Sequence, residues 1–139
     1  EDVSNADPNA LVVATAAAQA VERVGMPEAR IILAQAATYV ACAPKSNASY
    51  LAIDAASEVI KNEKTATIPS YLMDAHYNGA KELGHGLGYK YAHDYKNHYV
   101  KQQYLPDELK NRVFYQPSGQ GYEKKILEHL KRIREEAEE

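Results

Sequence analysis

The first part of the chain carries apolar and small residues at helical spacing, interrupted by short polar breaks, and this pattern predicts helices. Asp7 followed by Pro8 is typical of a helix start, because an Asp side chain caps free N–H groups and Pro suits the first turn. We expect this first helix to run to about Val24, with Gly25 ending it. The tight connection that follows predicts that the next helix is an antiparallel neighbour.

A second helix is predicted from Ile31 to Ala43, where nearly every residue is apolar or small. A helix that is apolar on nearly all sides is usually buried. We therefore predict that it is the central helix of the core, so that Leu33→Ala would cost about 2–5 kcal/mol of stability. Cys42, the single cysteine of the chain, lies on this helix and is expected to be a buried, inert side chain.

Two further helices are predicted. Pro44 ends the second helix, and Ser46 or Asn47 is expected to cap a third helix that runs to about Ile60. The last helix is expected over about 120–137. These helices raise the question of which apolar positions meet another copy of the chain, because periodicity does not separate contacts within one chain from contacts between chains. The candidate oligomer-interface residues are Leu11, Val21, Ile126, Leu130 and Ile133.

A single, mainly α-helical domain is expected from 139 residues. Its parts are a helical core over about 7–83, an irregular arm over about 84–119 and the C-terminal helix. Helical periodicity is absent from the arm, where Tyr99–Tyr104 and Val113–Tyr115 are interpreted as short strands of a β-hairpin. The chain starts without Met and close to a helix signal, so we expect it to be a fragment of a longer protein.

Composition limits the classes of function. The formal net charge of -3 gives no general case for binding nucleic acid or membranes. The longest apolar run is too short to span a bilayer. One cysteine excludes an internal disulfide and fits a reducing compartment.

The sequence of this chain matches neither of the two standard nucleotide-binding motifs. Gly79 and Gly84 have the spacing of a phosphate-binding loop, but His85 and Gly86 follow where Lys and Ser or Thr are required. The glycines at 84, 86 and 88 also miss the dinucleotide-binding spacing. We interpret these glycines as residues that permit positive φ in a tight loop, and we predict no catalytic and no cofactor-binding residue.

The histidines of the arm suggest a metal site only weakly. His85, His93, Asp94 and His98 would offer nitrogen and oxygen ligands to zinc or iron. Their spacing matches no standard motif, so we predict no metal site and favour histidines packed within the arm. A metal-dependent enzyme is the least favoured of the three functional hypotheses.

Lysines and aromatic residues interleave in the arm between Gly84 and Tyr104, where Asp94 is the only acidic residue. Ammonium groups combined with stacking rings are how proteins hold single-stranded nucleic acid. The alternative, which we favour, is that the tyrosines bury their rings on the helical body. The candidate nucleic-acid contacts are Lys90, Tyr91, His93, Lys96, Lys101 and Tyr104.

Four stretches carry a family resemblance that covers essentially the whole chain. They are PEARIILAQAATYVACAPKSNASYLAIDAA from Pro27, GYKYAHDY from Gly88, VKQQYLPDEL from Val100 and FYQPSGQGYEKK from Phe114. Together they resemble the C-terminal domain of the replication-associated recombination protein A family of AAA+ ATPases, which is similar to the eukaryotic Werner-helicase-interacting ATPase. Two departures are Ser4, where Gly is usual, and Lys96-Asn97-His98, which replaces a Pro-Gly turn.

The resemblance implies a fold and a function that composition does not. It implies a helical bundle akin to the clamp-loader collar, which assembles the parent ATPase into a homotetramer. The parent would act on DNA at stalled replication forks, with single-strand-binding protein as a partner, in the cytoplasm near the nucleoid. ATP and magnesium would bind an upstream region that is absent here, so the chain itself is not expected to be an enzyme.

Overall fold

The computed structural model describes residues 1–64, 67–80 and 82–136, and these residues are mainly α-helical, as predicted. Between the helices the chain forms single 3₁₀ turns and irregular segments. The helices are α1 (Asn9–Val24), α2 (Ala29–Cys42), α3 (Ala48–Asn62) and α4 (Glu123–Glu136). The 3₁₀ turns are Ser4–Ala6, Ser70–Leu72, Ala92–Asp94, Lys96–His98 and Asp107–Leu109. The predicted end of the last helix, at Ala137, lies outside the described residues.

Local signals set the helix ends as predicted. A carboxylate oxygen of Asp7 accepts a hydrogen bond from the N–H of Asn9, 3.1 Å away, at the start of α1. Gly25 follows α1 with a φ of 75°, which glycine adopts without a Cβ clash. The Ser46 hydroxyl accepts a hydrogen bond from the N–H of Ala48, 3.2 Å away, and so caps α3.

Helices α1 and α2 pack against each other, as the short connection between them predicts. The side chains buried on these helices are small: Ala10 and Ala17 on α1, and Ala29 at the start of α2. Alanine at a helix contact lets the two backbones approach closely. The buried cluster nearest this contact consists of Val3, Ala10 and Ala43.

The prediction that α2 is the buried centre of the core is wrong. Ile31 is 64% exposed and Leu33 is 47% exposed. Cys42 is also exposed, so the prediction of a buried cysteine is corrected as well. The reason is that only one narrow stripe of α2 is covered by the rest of the chain. The remaining apolar residues of α2 lie outside that contact.

The predicted β-hairpin is wrong too, because no strand forms in the described part of the chain. The backbone of the arm closes local turns instead. The N–H of Asp94 donates to the carbonyl of Tyr91 over 3.0 Å, and the N–H of Leu109 donates to that of Pro106 over 2.9 Å. These turns lie outside the two predicted strands. The segments 99–104 and 113–115 are irregular, and no backbone hydrogen bond between them is among those of the described residues.

Contacts between Cα atoms divide the chain into two compact units. Unit 1 comprises Glu1–Ala55 and Phe114–His129, and unit 2 comprises Ala56–Val113 and Leu130–Glu139. In unit 1 the N–H of Tyr122 donates to the carbonyl of Ala6 over 2.8 Å, which ties the loop before α4 to the N-terminal segment.

Unit 2 is held by side chains of the irregular segments. Arg112 pairs with Glu63 over 2.8 Å, and the Tyr71 hydroxyl donates to the carbonyl of Gln103. Leu109 is among the few side chains of this unit that are buried. None of the helices formed by the described residues is long and apolar enough to cross a membrane.

Candidate functional site

Unit 1 leaves large apolar side chains exposed on α1, on α2 and on the first turns of α3. Leu11 is 75% exposed and Ile53 is 63% exposed. The buried apolar side chains of this unit are alanines and Val3. We call six of the exposed leucine, isoleucine and valine side chains of these three helices the exposed apolar set: Leu11, Val12, Ile31, Leu33, Leu51 and Ile53.

A groove of about 730 Å³ opens within unit 1 beside part of this set. Its apolar lining includes Leu11, Val40 and Ile53, and Lys45 and Tyr50 also line it. The residues of the N-terminal segment form another wall. The groove therefore offers a concave apolar surface with a few polar groups, which is the usual character of a binding surface.

The predicted oligomer-interface residues fall into two groups in the structure. Leu11 is exposed, whereas Val21 on α1 is half-buried. On α4, Ile126, Leu130 and Ile133 are all half-buried. The four half-buried side chains are therefore partly covered within the chain itself. Leu11 is the member of the predicted set that is most exposed.

Glu123, the first residue of α4, is a fully buried carboxylate in unit 1. The Ser46 hydroxyl donates to it over 2.8 Å and the Tyr115 hydroxyl over 2.9 Å. The N–H and the hydroxyl of Ser118 also donate to it. These bonds join the connection before α3, the segment at 114–118 and the start of α4, so Glu123 stabilises unit 1.

The hydrogen bonds also set the acidity of Glu123. Burial by itself raises the pKa of this carboxyl, but hydrogen bonds from Ser118, Ser46 and Tyr115 outweigh burial and lower the pKa below its ordinary value of 4.5. The carboxylate is therefore charged and fully bonded at neutral pH. No further ligand is needed to satisfy it, so its role is structural.

Three lysines of the arm come together around one cavity of about 270 Å³ in unit 2. Its walls include the rings of Tyr95 and Tyr99, and Glu136 of α4 supplies one carboxylate. We call this the lysine cavity; it is lined by Lys90, Tyr95, Lys96, Asn97, Tyr99, Val100, Lys101, Ile133 and Glu136. Three lysines and one glutamate are among the described residues that line this cavity, and clustered basic residues favour an anionic ligand.

The turn that shapes this cavity holds two adjacent residues in the left-handed region. Asn97 has a φ of 57° and His98 a φ of 54°. Asn tolerates this conformation better than most residues with a Cβ. Lys96, just before them, is thereby placed on the cavity wall beside Asn97.

The other predicted nucleic-acid contacts lie elsewhere. The ring of His93 contacts Tyr91 and His98, with centroids 5.0 and 4.9 Å away. Tyr104 lines a different cavity. The structure therefore brings together Lys90, Lys96 and Lys101 but not the whole predicted set.

The histidines are arranged by aromatic and polar contacts. His85 is hydrogen-bonded through Nδ1 to the Tyr77 hydroxyl over 2.5 Å. His93 and His98 stack against each other. Within residues 1–64, 67–80 and 82–136, no group of three or more His, Cys, Asp or Glu side chains is placed to hold a metal ion.

Sequence reasoning missed two groups that organise these sites. Glu136 is one of several charged residues near the end of α4, and nothing in the local sequence distinguishes it from its neighbours. Glu123 carries one signal in sequence, because a carboxylate in the first turn of a helix complements the helix dipole. Its burial depends on Ser46, which is distant in the chain.

Comparison with known proteins gives one family. A family model described as MgsA AAA+ ATPase C terminal matches residues 1–134. The replication-associated recombination protein A of Bacillus subtilis is 50% identical over 121 residues, which are 87% of this chain and 29% of that protein. The Escherichia coli K12 protein of the same name is 44% identical over 131 residues, 94% of this chain and 29% of that protein.

A eukaryotic relative extends the match. The ATPase WRNIP1 of Dictyostelium discoideum is 37% identical over 117 residues, which are 84% of this chain and 13% of that protein. The chain thus spans less than a third of the length of each of these relatives. The family suggested by the four sequence stretches is confirmed by these matches.

Proposed function

This chain belongs to the family of MgsA AAA+ ATPase C-terminal domains, and from that premise we propose that it is the homo-oligomerisation domain of such an ATPase. The assembly is a homotetramer, and the parent protein acts in replication-fork maintenance and recombination. The observation that carries the proposal is the exposed apolar set, which is larger in side-chain volume than the buried core of unit 1. Exposed apolar surface of this extent marks an interaction surface.

The magnitudes agree with an interface. Burying one Leu or Ile side chain contributes about 1.5–3 kcal/mol, so the six members of the exposed apolar set would contribute about 10 kcal/mol in gross terms. Association costs about 4–15 kcal/mol in lost translational and rotational freedom. Residues two positions apart, such as Ile31 and Leu33, lie on different sides of a helix, so the whole set is covered only where more than one further copy packs on unit 1. Such an assembly reaches the range in which association becomes favourable.

Sedimentation equilibrium at micromolar concentration tests the proposal. We expect a mass about four times the 15.4 kDa of one chain. Ile53→Asp should lower that mass, because it places a charge in the apolar groove. Val113→Asp is the control, since Val113 is an exposed apolar residue that belongs to unit 2. A monomer at all concentrations would contradict the proposal.

A second candidate function is contact with single-stranded DNA through the arm. The observation that favours it is the lysine cavity, whose lining includes two tyrosines and three lysines. Such a groove holds a phosphate backbone by charge and a base by stacking. The histidine and tyrosine cluster around His93 is not needed for this contact.

Binding to a fluorescent oligothymidylate tests this second candidate. Lys90→Ala combined with Lys101→Ala should weaken binding and reduce its dependence on salt, because fewer counterions are released. Lys61→Ala combined with Lys124→Ala is the matched control, since neither lysine lines the cavity. Equal losses in both pairs would show that general charge, and not the cavity, drives binding.

The remaining parts of the proposal concern the parent protein. ATP and magnesium bind outside this chain, so the chain itself turns over no nucleotide. Single-strand-binding protein is a partner of the parent, which acts in the cytoplasm close to the nucleoid. Nucleotide hydrolysis by the purified chain would contradict the first of these statements.

A further inference from the structure

The pair of helices α1 and α2 ends in exposed apolar side chains at the connection between them. Val24, the last residue of α1, is 52% exposed, and Met26 in the connection is 69% exposed. Ile31, in the first turn of α2, is exposed as well. We call Val24, Met26 and Ile31 the hairpin tip. Large apolar side chains that lie together in solvent mark an interaction surface, and the unbranched side chain of Met adapts to the shape of a partner.

The groove of unit 1 lies toward the opposite end of the same helix pair. Its lining includes Leu11 and Ala14 near the start of α1, and Val40 near the end of α2. Val24 lies about 15 Å along the helix axis from Ala14, because each residue of a helix adds about 1.5 Å. The hairpin tip of a chain therefore cannot fill the groove of that same chain.

The hairpin tip and the groove have complementary shapes. The groove is concave, and its volume of about 730 Å³ is within the range of pockets that enclose several apolar groups. The hairpin tip is the convex end of two packed helices. Two grooves that faced each other would leave both concave surfaces unfilled, and two tips would meet only at their ends. A tip that seats in a groove covers the apolar side chains of both.

The charges beside the two surfaces favour the same pairing. Arg23 and Arg30 flank the hairpin tip, and neither forms an ion pair with a described residue. The groove is lined by the acidic residues Glu1 and Asp2. The other charged residues beside the two surfaces are Glu22 and Glu28 at the tip and Lys45 at the groove. Opposite charges therefore meet in both directions when a tip enters a groove, and such complementarity fixes the orientation of a contact.

We propose that copies of this chain contact each other head to tail, with the hairpin tip of one copy seated in the unit 1 groove of the next. The inference rests on the proposed oligomerisation function and names the two surfaces that perform it. Each copy then offers its tip to one neighbour and its groove to the other. Contacts of this kind are satisfied throughout only when the copies close into a ring, and four copies in a ring make the proposed homotetramer.

Mixing two variants tests the inference. Met26→Asp places a charge on the hairpin tip and leaves the groove intact, whereas Ile53→Asp places a charge in the groove and leaves the tip intact. Each variant alone is expected to sediment as one chain of 15.4 kDa, because it lacks one of the two surfaces. Their equimolar mixture is expected to give a species of about twice that mass, since one intact tip meets one intact groove.

The other outcomes of this experiment contradict the inference in different ways. Dimers formed by either variant alone would overturn it, because they would show that like surfaces meet. A mixture that stays monomeric while the unaltered chain assembles would overturn it and leave the oligomerisation function standing. An unaltered chain that stays monomeric at all concentrations would overturn both. Circular dichroism of each variant shows that the helices are retained, as is expected for substitutions of exposed residues.

Disulfide trapping gives a second measurement, which leaves the apolar contact largely in place. Cys42 is first replaced by Ser, because it is exposed and would itself react. Chains with Met26→Cys are then mixed with chains with Ile53→Cys in the presence of glutathione disulfide, and we expect a cross-linked pair of unlike chains. Ala37→Cys replaces Ile53→Cys in the control, since Ala37 is exposed on α2 outside the groove lining. Equal cross-linking in the control would contradict the seating of the tip in the groove.

Discussion

At Gly121 the backbone passes so close to other segments of unit 1 that a side chain has no room. An added Cβ would lie 2.1 Å from the carbonyl oxygen of Ala6 and 2.6 Å from Cγ of Pro44. At Gly119 the φ is also positive, but an added Cβ would meet Leu127 at an ordinary 3.5 Å. The two glycines therefore differ in packing and share the backbone conformation.

Gly121→Ala is expected to lower the free energy of unfolding more than Gly119→Ala does. Both variants carry the cost of a Cβ at positive φ, and Gly121→Ala adds overpacking that costs about 1–3 kcal/mol. Urea unfolding followed by circular dichroism measures both variants beside the unaltered chain. Equal losses in the two variants would show that the contact with Ala6 is not as close as described.

Because of Glu123, the stability of unit 1 is expected to change with pH in the acid range. Its pKa in the folded chain lies below the ordinary value of 4.5, so folding favours the charged form. The stabilisation is fully present above the pKa of the unfolded chain. It is lost as the pH falls from about 4.5 through the lowered pKa of the folded state.

Glu123→Gln is expected to cost about 1–3 kcal/mol at pH 7, because hydroxyl and N–H donors lose a charged acceptor. The difference from the unaltered chain should shrink as the pH is lowered below 4.5, since the carboxyl of the unfolded chain takes up a proton first and that of the folded chain only at lower pH. The urea concentration at the midpoint of unfolding, measured for both chains at pH 7, 5, 4 and 3, gives this difference in stability. A difference that stays constant over this range would mean that Glu123 does not contribute through its charge.

At the scale of elements, α2 shows how composition misleads. Its sequence is apolar on nearly all sides, which predicted burial, yet only the stripe toward α1 is covered. Ile32 lies half-buried on this stripe, and Leu33 beside it is exposed. An apolar face indicates that something covers it, but the cover need not belong to the same chain.

Leu33→Ala is therefore expected to cost less than about 1 kcal/mol in dilute protein, in place of the 2–5 kcal/mol that burial would imply. Ile32→Ala, the matched change one residue earlier, should cost more because its side chain packs within the chain. Urea unfolding at low protein concentration compares them. A larger loss for Leu33→Ala than for Ile32→Ala would reverse this assignment of the helix faces.

At the scale of the whole molecule, the division between small buried and large exposed apolar residues supports a domain that is completed by other copies. Alanines form most of the buried set in unit 1, while Leu11 and Ile53 remain open. The chain belongs to a family of AAA+ ATPase C-terminal domains. The arm, in contrast, satisfies its own backbone by turns and presents charged and aromatic side chains.

Much of the fold was predictable from sequence, and the candidate sites were predictable only in part. The lysines of the arm were identified because charge and ring alternate within a short stretch. Their grouping in one cavity depends on the turn at Lys96–His98 and on α4, which lies far along the chain. Glu136 was missed because a carboxylate near a helix end has no local sign of its partner.

By itself the sequence determined the helices, their starts at Asp7 and Ser46, the end at Gly25 and the family, since these depend on neighbouring residues or on long matched stretches. The tertiary structure alone decided that α2 is exposed on one side, that Glu123 is buried and that Glu136 lines the lysine cavity. The physical reason is that caps and turns act over a few residues, whereas burial depends on what the rest of the chain brings near.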